Sequence, residues 1–558
     1  MSRFVQPVPP LPDPYSTDTV LRASLDRLLG PAGHALAAPR LEALAAEVAG
    51  PLREAHRDAE AHPPTLVQFD AWGRRVDRIE TASGWQDQRR AAAQHGLVAI
   101  THLRDAIESF GAGTRVVQHA LLHLYGPESA TFSCPVAMSD GAAALLSRPD
   151  VDAGLRDEWL PRLTSTDPAT AITSGQWMTE AEGGSDISRS SSTARRDGDG
   201  WRVSGEKWFC SAADSAIAIA LARPEGAGTG SRVLAPFLIP RYGADGGPAP
   251  GITVHRLKDK LGTRALPTAE IGLREAAALP VGDPARPGLH RMMTLVVITR
   301  LHNAAAAAGG MRRGLDYARA YAGVRDVAGG RLTDSPLHRA TLGTLAVSAR
   351  AAFALAAHAF ALLGRVEVDG DEAADAELRL VAPLAKLLTA KLAVACASEY
   401  VECFGGAGYV EDTGVPRLLR DAQVLPIWEG TTNVLSLDVL RALSRGEGVD
   451  PLLGRLTAAT AMAEGDDAGL YASHLADLRD DVASAAKDPG AERAVAGARG
   501  LALRLGDALA GALLLEHAGW AGATGTDPGA GPAAALWIKE RLAGRDVAEA
   551  AHRYAEIL

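Results

Sequence analysis

Residues 171–186 of this 558-residue chain read AITSGQWMTEAEGGSD, and the pattern of apolar residues along the sequence changes at this stretch. Before it, Ala-rich runs with helical periodicity extend from about Thr19 to His123, and another begins at Asp140. After it come short apolar or alternating runs such as AIAIALA, VLAPFLIP and GITVHRL. Their spacing is too close for parallel strands joined by helices. The stretch therefore predicts entry into an all-β domain.

The regions around this β domain are helical. A turn from Asp197 to Gly200 joins two strand-like runs, which is typical of a β-hairpin. Long helices return at about Gly288, and because they are apolar on most faces they are expected inside a bundle or at a subunit interface. The fold class is therefore α+β. The predicted parts are an N-terminal arm and helical domain at 1–164, a barrel-like middle β domain at 165–282, a four-helix-bundle domain at 283–445 and a helical extension at 446–558.

Composition and charge exclude several classes of protein. Hydrophobic content of 47% and charged content of 22% are those of an ordinary globular chain. The net charge of −10 gives no global attraction to nucleic acid or to anionic lipid. No apolar run looks long enough to span a bilayer, and the start lacks the layout of a signal peptide. Four cysteines without metal-ligand spacing predict buried thiols, no metal site and a cytoplasmic location.

Four short motifs could carry chemistry, and each also has a purely structural interpretation. They are MTEAEGGSD at 178–186, GEKWFCS at 205–211, FGGAGY at 404–409 and IWEGTTN at 427–433. Glycines permit close backbone approach to a ligand, but they also form turns and end helices. A strand aromatic can stack on a ring or simply pack in a core. A Glu between Trp and Gly suits a general base in apolar surroundings, yet a solvated loop is the ordinary alternative.

In their order and spacing, these motifs and the KLGTR segment at 260–264 resemble those of the acyl-CoA dehydrogenases. The resemblance covers about residues 60 to 445. It narrows to the AidB-type, alkylation-response branch through PPTLVQFDAWGRRVD at 63–77, the SCP segment at 133–135, and an extension of more than a hundred residues after Arg445. The layout of helix, sheet and helix agrees with it independently.

The resemblance implies a non-covalently bound FAD and the residues that hold it. The implied cofactor residues are Gln176, Trp177, Met178, Thr179, Gly184, Ser185, Phe209, Cys210, Ser211, Arg325, Glu402, Gly405, Gly406, Trp428, Gly430, Thr431 and Asn433. Among them, Arg325 is expected to reach the FAD diphosphate of a neighbouring subunit, which implies a homo-oligomer, expected to be a tetramer. Ala328 stands where the family usually has an aromatic residue, so one stacking contact is expected to be lost.

The resemblance also implies the chemistry. Glu429 matches the base that removes the α-proton of an acyl thioester while the β-hydrogen passes to flavin N5 as hydride. A base on the earlier helix is not expected, because Thr299 occupies the position before Arg300. Arg300 is expected to shape the substrate end of the pocket.

Three alternatives to thioester oxidation stay open from the sequence. One is an AidB-like flavoprotein in alkylation defence with weak DNA association. Another is a flavin monooxygenase on the same fold, which would not need the Glu429 carboxylate. The third is a catalytically silent protein, against which the complete WEGT segment argues. Because the chain after Arg445 carries 10 Lys and Arg against 17 Asp and Glu, DNA is a doubtful partner.

Overall fold

The computed structural model describes residues 5–243, 246–463 and 465–542, and it confirms the predicted α+β fold with the sheet in the middle. The chain folds into two compact units. The helical unit comprises Met1–Ala46, Asp105–Pro127 and Asn303–Leu558, and the sheet unit comprises Glu47–Arg104 and Glu128–His302. The four-part division made along the sequence stays a prediction.

The first third of the chain is mostly helical. Its helices are α1 (Thr19–Ala49), α2 (Pro51–Ala61), α3 (Ser83–Gln94), α4 (Arg104–Phe110), α5 (Thr114–Tyr125), α6 (Ser133–Leu146) and α7 (Ala153–Leu163). The expectation of helix throughout Thr19 to His123 was wrong at one place, where strands β1 (Thr65–Phe69) and β2 (Arg75–Glu80) form an antiparallel hairpin. The β-branched and aromatic residues of TLVQF and the intervening turn favour strands over helix there.

The centre of the sheet unit is a closed ring of strands. The strands of this sheet are β3 (Ser174–Trp177), β4 (Thr193–Asp197), β5 (Gly200–Ser211), β6 (Ile217–Pro224), β7 (Ala235–Pro240), β8 (Ile252–Leu257) and β9 (Thr268–Pro280), of which β3 and β8 lie outside the ring. The order β6-β4-β5-β9-β7 closes because β7 also pairs with β6. The predicted hairpin turn is confirmed, since Asp197 pairs with Gly200 between β4 and β5. The ring thus accounts for the predicted barrel-like character of the middle domain.

The second half of the chain supplies long helices and a small hairpin. Its elements up to Ser444 are α8 (Leu289–Val324), β10 (Asp326–Val327), β11 (Gly330–Arg331), α9 (Pro336–Gly364), α10 (Glu372–Cys403), α11 (Val415–Ala422) and α12 (Thr432–Ser444). The expectation that no apolar run could span a bilayer was wrong by length and hydropathy, because the helical stretches 336–369 and 372–403 both meet that test. Their most apolar windows are 78% and 83% buried, which is the ordinary situation of core helices.

The extension after Arg445 packs within the helical unit. It consists of α13 (Val449–Thr460), α14 (Gly465–Lys487), α15 (Glu492–Thr524) and α16 (Ala530–Trp537). Arg350 on α9 makes a bidentate ion pair with Asp527, at 2.7 and 3.2 Å. Gly506 on α15 faces Leu388 on α10 so closely that a Cβ would lie 3.2 Å from the leucine. The extension is therefore an integral part of the helical core.

The cysteines follow the sequence expectation only in part. Cys210 and Cys396 are buried, and burial raises the pKa of both thiols. Cys134 and Cys403 are half-buried, so the expectation of four buried thiols was wrong for these two.

Candidate functional site

Strand β3 leads into the first predicted cofactor segment. Gln176 donates from Nε2 to the Met178 sulfur at 3.0 Å, and Met178 packs against a core cluster of the sheet unit. The oxygen Oε1 of Gln176 and the indole Nε1 of Trp177 are buried without a hydrogen-bond partner among the residues the structure describes. Buried polar atoms are rarely left in that state unless something else satisfies them.

A buried ion pair fixes the start of the same loop. The carboxylate of Glu180 accepts hydrogen bonds from Lys207 Nζ at 2.7 Å and from the Ser191 backbone at 2.6 Å. Burial opposes ionisation of Glu180, but the attraction to Lys207 and these hydrogen bonds prevail and lower its pKa to about 2. Lys207 is 1% exposed, and burial lowers its pKa. The pair joins the loop to β5 beside the next predicted segment.

The end of β5 presents an aromatic ring beside a cation. The backbone N–H of Trp208 donates to the carbonyl of Thr179 at 2.9 Å, which brings the first and second predicted segments together. Phe209 is 51% exposed, and Lys258 Nζ lies 4.6 Å from its ring centre. Cys210 is fully buried within the sheet, where it pairs with Ala269 of β9.

Two hydroxyl groups close this end of the sheet. Ser211 Oγ lies 3.3 Å from Thr268 Oγ1, which also accepts a hydrogen bond from Lys260 Nζ at 3.1 Å. The loop glycine Gly184 and its neighbour Ser185 are exposed. Within the sheet unit, the structure therefore joins the loop after β3 to strand β5, on which the ring of Phe209 is exposed.

The predicted substrate residue Arg300 lies on the part of α8 that belongs to the sheet unit. It is 8% exposed, and the preceding Thr299 bonds back to the carbonyl of Leu295 at 3.2 Å. Two residues further on, His302 Nε2 lies 2.7 Å from the buried carboxylate of Asp140. The role predicted for Arg300 stays a prediction.

The predicted base, Glu429, occupies a constrained loop of the helical unit. Its φ is 56°, and that of Gly430 is 109°. A non-glycine residue in the left-handed region is uncommon and costs roughly 1–3 kcal/mol, so the surroundings must hold it there. Such strain recurs at functional sites.

Three hydrogen bonds hold this loop, two before Glu429 and one after it. Trp428 Nε1 donates to Asn303 Oδ1 at 2.6 Å, and Asn303 Nδ2 donates to the Leu425 carbonyl at 3.1 Å. On the other side, Lys386 Nζ donates to the Gly430 carbonyl at 2.6 Å. Lys386 is fully buried, so the hydrogen bond to the Gly430 carbonyl comes from an ammonium group that is shielded from solvent.

The helix after the loop begins with a capping residue and contacts the extension. Thr431 is the N-cap of α12, and its side chain accepts from the Val434 N–H. Asn433 is exposed, and its Oδ1 accepts a hydrogen bond from Arg499 of α15 at 3.3 Å. The extension therefore touches the segment that follows Glu429.

The segment after α10 leaves its backbone open. Glu402, Gly405 and Gly406 are exposed. Gly405 has a φ of 57°, and a Cβ at Gly408 would lie 2.0 Å from the Val401 carbonyl, so two of the three glycines are required by the backbone itself. Within the described parts of the chain, nothing lies within 4 Å of a Cβ placed on Gly406. The space beside the Gly406 backbone is thus open to a ligand.

The predicted intersubunit residue Arg325 is bound to the N-terminal arm. Its Nη1 donates to Gln6 Oε1 at 3.1 Å, and Gln6 Nε2 donates to the Val324 carbonyl at 3.1 Å. Arg325 is half-buried at the C-terminal end of α8. Whether it also reaches a neighbouring subunit stays a prediction.

Sequence reasoning missed the residues that support these segments. Lys386 lies within the mostly apolar run LRLVAPLAKLLTAKLAVA, and a lysine flanked by apolar residues in such a run was a usable signal. Asn303 and Lys258 carried no comparable signal, because their partners are distant in sequence. Lys386 and Asn303 bind the loop around Glu429, and Lys258 lies over the ring of Phe209, so all three contact segments that the motifs predicted.

Comparison with known protein families gives matches along most of the chain. The model of the acyl-CoA dehydrogenase C-terminal domain matches residues 286–444, and that of the middle domain matches residues 175–276. The model of the adaptive response protein AidB N-terminal domain matches residues 9–168. The matched ranges follow the order helix, sheet, helix.

Individual relatives match over most of their length. The chain is 39% identical over 535 residues to acyl-CoA dehydrogenase family member 11 of Caenorhabditis elegans, covering 92% of this chain and 86% of that protein. It is 32% identical to the putative acyl-CoA dehydrogenase AidB of Escherichia coli, covering 72% and 73%. The crystal structure of Caenorhabditis elegans ACDH-11 in complex with C11-CoA superimposes with a TM-score of 0.89 at 36% identity, covering 99% of this chain and 95% of that one.

Proposed function

Because this chain belongs to the acyl-CoA dehydrogenase family of FAD-dependent oxidoreductases, we propose that it oxidises an acyl thioester with Glu429 as the general base. The family and the oxidoreductase class confirm the expectation from the motifs. The observation that carries the proposal for the base is the geometry of the loop at Glu429, whose backbone φ is 56° and whose neighbours Trp428 and Gly430 each take part in a hydrogen bond.

The residues present fit FAD in each unit. In the sheet unit, Phe209 offers an exposed ring, and the unsatisfied Gln176 Oε1 and Trp177 Nε1 offer hydrogen bonds to a polar ligand. In the helical unit, Gly405 and Gly406 offer open backbone to a flat or phosphorylated group. Bound FAD would supply the acceptor for the hydride.

The part played by this chain is to position one carboxylate and to remove one proton. The α-proton of a thioester is weakly acidic, so the base must be held close to it before the reaction starts. The bonds from the Trp428 indole and to the Gly430 carbonyl hold the two residues that flank Glu429, which limits where its side chain can reach. The Caenorhabditis elegans relative binds C11-CoA, which supports a medium-length acyl-CoA as the substrate class.

Substitution of the base tests this proposal. We expect Glu429→Gln to retain FAD and fold, and to lower α-proton exchange by about 10²–10⁴-fold, because it keeps size and hydrogen bonding but removes basicity. The measurement is deuterium exchange at the α-carbon together with anaerobic flavin bleaching across an acyl-CoA panel. The exposed Glu372→Gln on α10 is the matched control, with unchanged rates. Equal exchange in Glu429→Gln and wild type would contradict the proposal.

A second candidate function rests on the AidB resemblance. The AidB N-terminal domain model covers residues 9–168, and AidB itself is 32% identical, which favours a flavoprotein acting in alkylation defence. Such a protein would bind FAD with the same residues but would show no flavin bleaching with any acyl-CoA. The experiment above therefore distinguishes the two candidates.

A further inference from the structure

The helical unit contains a cavity that is separate from the residues assigned to FAD and the thioester. It lies among the start of α1, the middle of α8 and the first half of α9, and its volume is about 670 Å³. Ligand sites for small molecules typically measure 300–1,000 Å³. The cavity is therefore large enough for a small organic molecule.

One wall of the cavity is apolar and belongs to the core. It is formed by Leu315 of α8 and by Leu342, Ala346, Ala349 and Phe353 of α9. All five are buried, with exposed fractions between 2% and 7%. A wall of this kind accepts the hydrocarbon part of a ligand.

The charged groups deep in the cavity are paired with one another. Asp18 lies 3.3 Å from His123 Nε2 and 3.4 Å from Arg312, which also pairs with Asp316 at 3.1 Å. Burial would raise the pKa of Asp18, but the attraction to Arg312 and the bond to His123 prevail and lower it. Each of these groups therefore already has a partner within the protein.

Two further arginines on the lining behave differently. Arg319 of α8 and Arg339 of α9 are exposed. Across the described ranges of the chain, neither guanidinium makes a side-chain hydrogen bond or an ion pair. A guanidinium presents a planar fork of donors that suits the oxygens of a carboxylate or a phosphate. The lining thus changes from exposed cations to buried hydrocarbon.

We propose that this cavity binds a small amphipathic anion, with its oxyanion head group at Arg319 and Arg339 and its apolar body against Leu342 and Phe353. This inference goes beyond the proposed dehydrogenation and does not depend on it. The head group can be a carboxylate or a phosphate, because the same donors recognise both. The expected ligand has one such head and a hydrocarbon body.

Titration calorimetry on the FAD-loaded full-length protein tests the site. The probes are decanoate, decyl phosphate and uncharged decanol, each below its aggregation limit. We expect at least one anion to bind and decanol to bind at least tenfold more weakly. Arg319→Gln and Arg339→Gln should each weaken binding of that anion about tenfold, the loss of roughly one charge-assisted bond. Comparison of the two anions identifies the head group.

Two controls make the result decisive. Arg493→Gln removes an exposed arginine of α15 outside the cavity and should leave the affinity unchanged. Ala349→Leu places a larger side chain on the apolar wall and reduces the volume of the cavity. It should weaken binding although Arg319 and Arg339 are unchanged. The proposal is overturned if neither anion binds, if decanol binds as tightly as the anions, or if Arg493→Gln weakens binding as much as Arg319→Gln. Displacement of the bound anion by ADP would also overturn it, in favour of a nucleotide.

Discussion

At the scale of single residues, Glu180 and Lys207 show what a buried charge requires. Each would cost several kcal/mol if taken from water alone. Together, at 2.7 Å and with the Ser191 N–H as a further donor, they are stable at 3% and 1% exposure. Their position fixes the loop after β3 to strand β5, so the predicted cofactor residues on both segments depend on this pair.

Removal of one partner should be costly. We expect Glu180→Gln to destabilise the protein by about 3–5 kcal/mol at neutral pH, because Lys207 is left as a buried charge without a counterion. The exposed Glu182→Gln, two residues away, should change stability by less than about 0.5 kcal/mol. Denaturant midpoints of the two variants measure the difference. Equal midpoints would show that the pair contributes nothing.

The same pair predicts a pH dependence of stability. The pKa of Glu180 falls from 4.5 to about 2 on folding, so its contribution is complete above pH 5 and is lost as the pH falls towards 2. Over this range the unfolded chain takes up the proton, whereas folded Glu180 stays ionised and paired with Lys207 until the pH approaches 2. Wild type should therefore lose stability between pH 5 and 2 more steeply than Glu180→Gln, as measured by urea unfolding at several pH values. Parallel curves for the two proteins would refute this assignment.

At the scale of elements, helices α8 and α10 approach each other through a glycine. A Cβ at Gly314 would lie 2.3 Å from the ring of Tyr400, which is itself buried and donates to the Met311 carbonyl at 2.7 Å. At Gly310, one turn earlier on α8, no atom of the described structure beyond the neighbouring backbone of α8 itself lies within 4 Å of the same position. The two glycines differ only in what faces them.

Alanine at these two positions should act in opposite directions. We expect Gly314→Ala to destabilise the protein by about 1–3 kcal/mol, because the ring or a helix must move. Gly310→Ala should stabilise it by about 0.5–1 kcal/mol, since alanine loses less backbone entropy in a helix. Thermal or denaturant unfolding measures both. A stabilising effect of Gly314→Ala would mean that α8 and α10 are packed less closely than described.

The sequence predicted elements better than it predicted contacts. Periodicity and the turn at Asp197 to Gly200 were local signals, so the helices and the hairpin could be predicted. The hairpin from Thr65 to Glu80 was missed because its strands are short and lie among helices. The bonds of Asn303 and Lys386 around Glu429 could not be predicted, because they join residues that are 125 and 44 positions apart. Hydrogen-bond partners at such separations are set by tertiary packing.

At the scale of the whole molecule, charge argues against DNA as a partner. The chain carries −10, and the extension carries 10 basic against 17 acidic residues, a net −7. Of the arginines Arg493, Arg499 and Arg504 on α15, two already have partners, Arg504 with Asp481 and Arg499 with Asn433. A surface that neutralises several phosphates needs clustered cations. The expected homotetramer and cytoplasmic location stay predictions.

Duplex DNA should therefore bind weakly. We expect a dissociation constant larger than about 1 µM near physiological salt, which lies within the range of non-specific binding. Fluorescence anisotropy of a labelled duplex across a salt series measures it, with a strongly basic DNA-binding protein as the positive control. Submicromolar affinity that persists near physiological salt would restore a DNA-guarding role.

The contact between α15 and α10 determines how the protein responds to proteolytic cleavage after Arg445. Leu388 is fully buried, and Gly506 of the extension lies against it. A protease that removed everything after Arg445 would uncover this leucine and the apolar helix around it. The remaining fragment would then be prone to aggregate, because a large exposed hydrophobic patch associates with others. Proteolysis in this region is thus a route to loss of the protein and not to a smaller working enzyme.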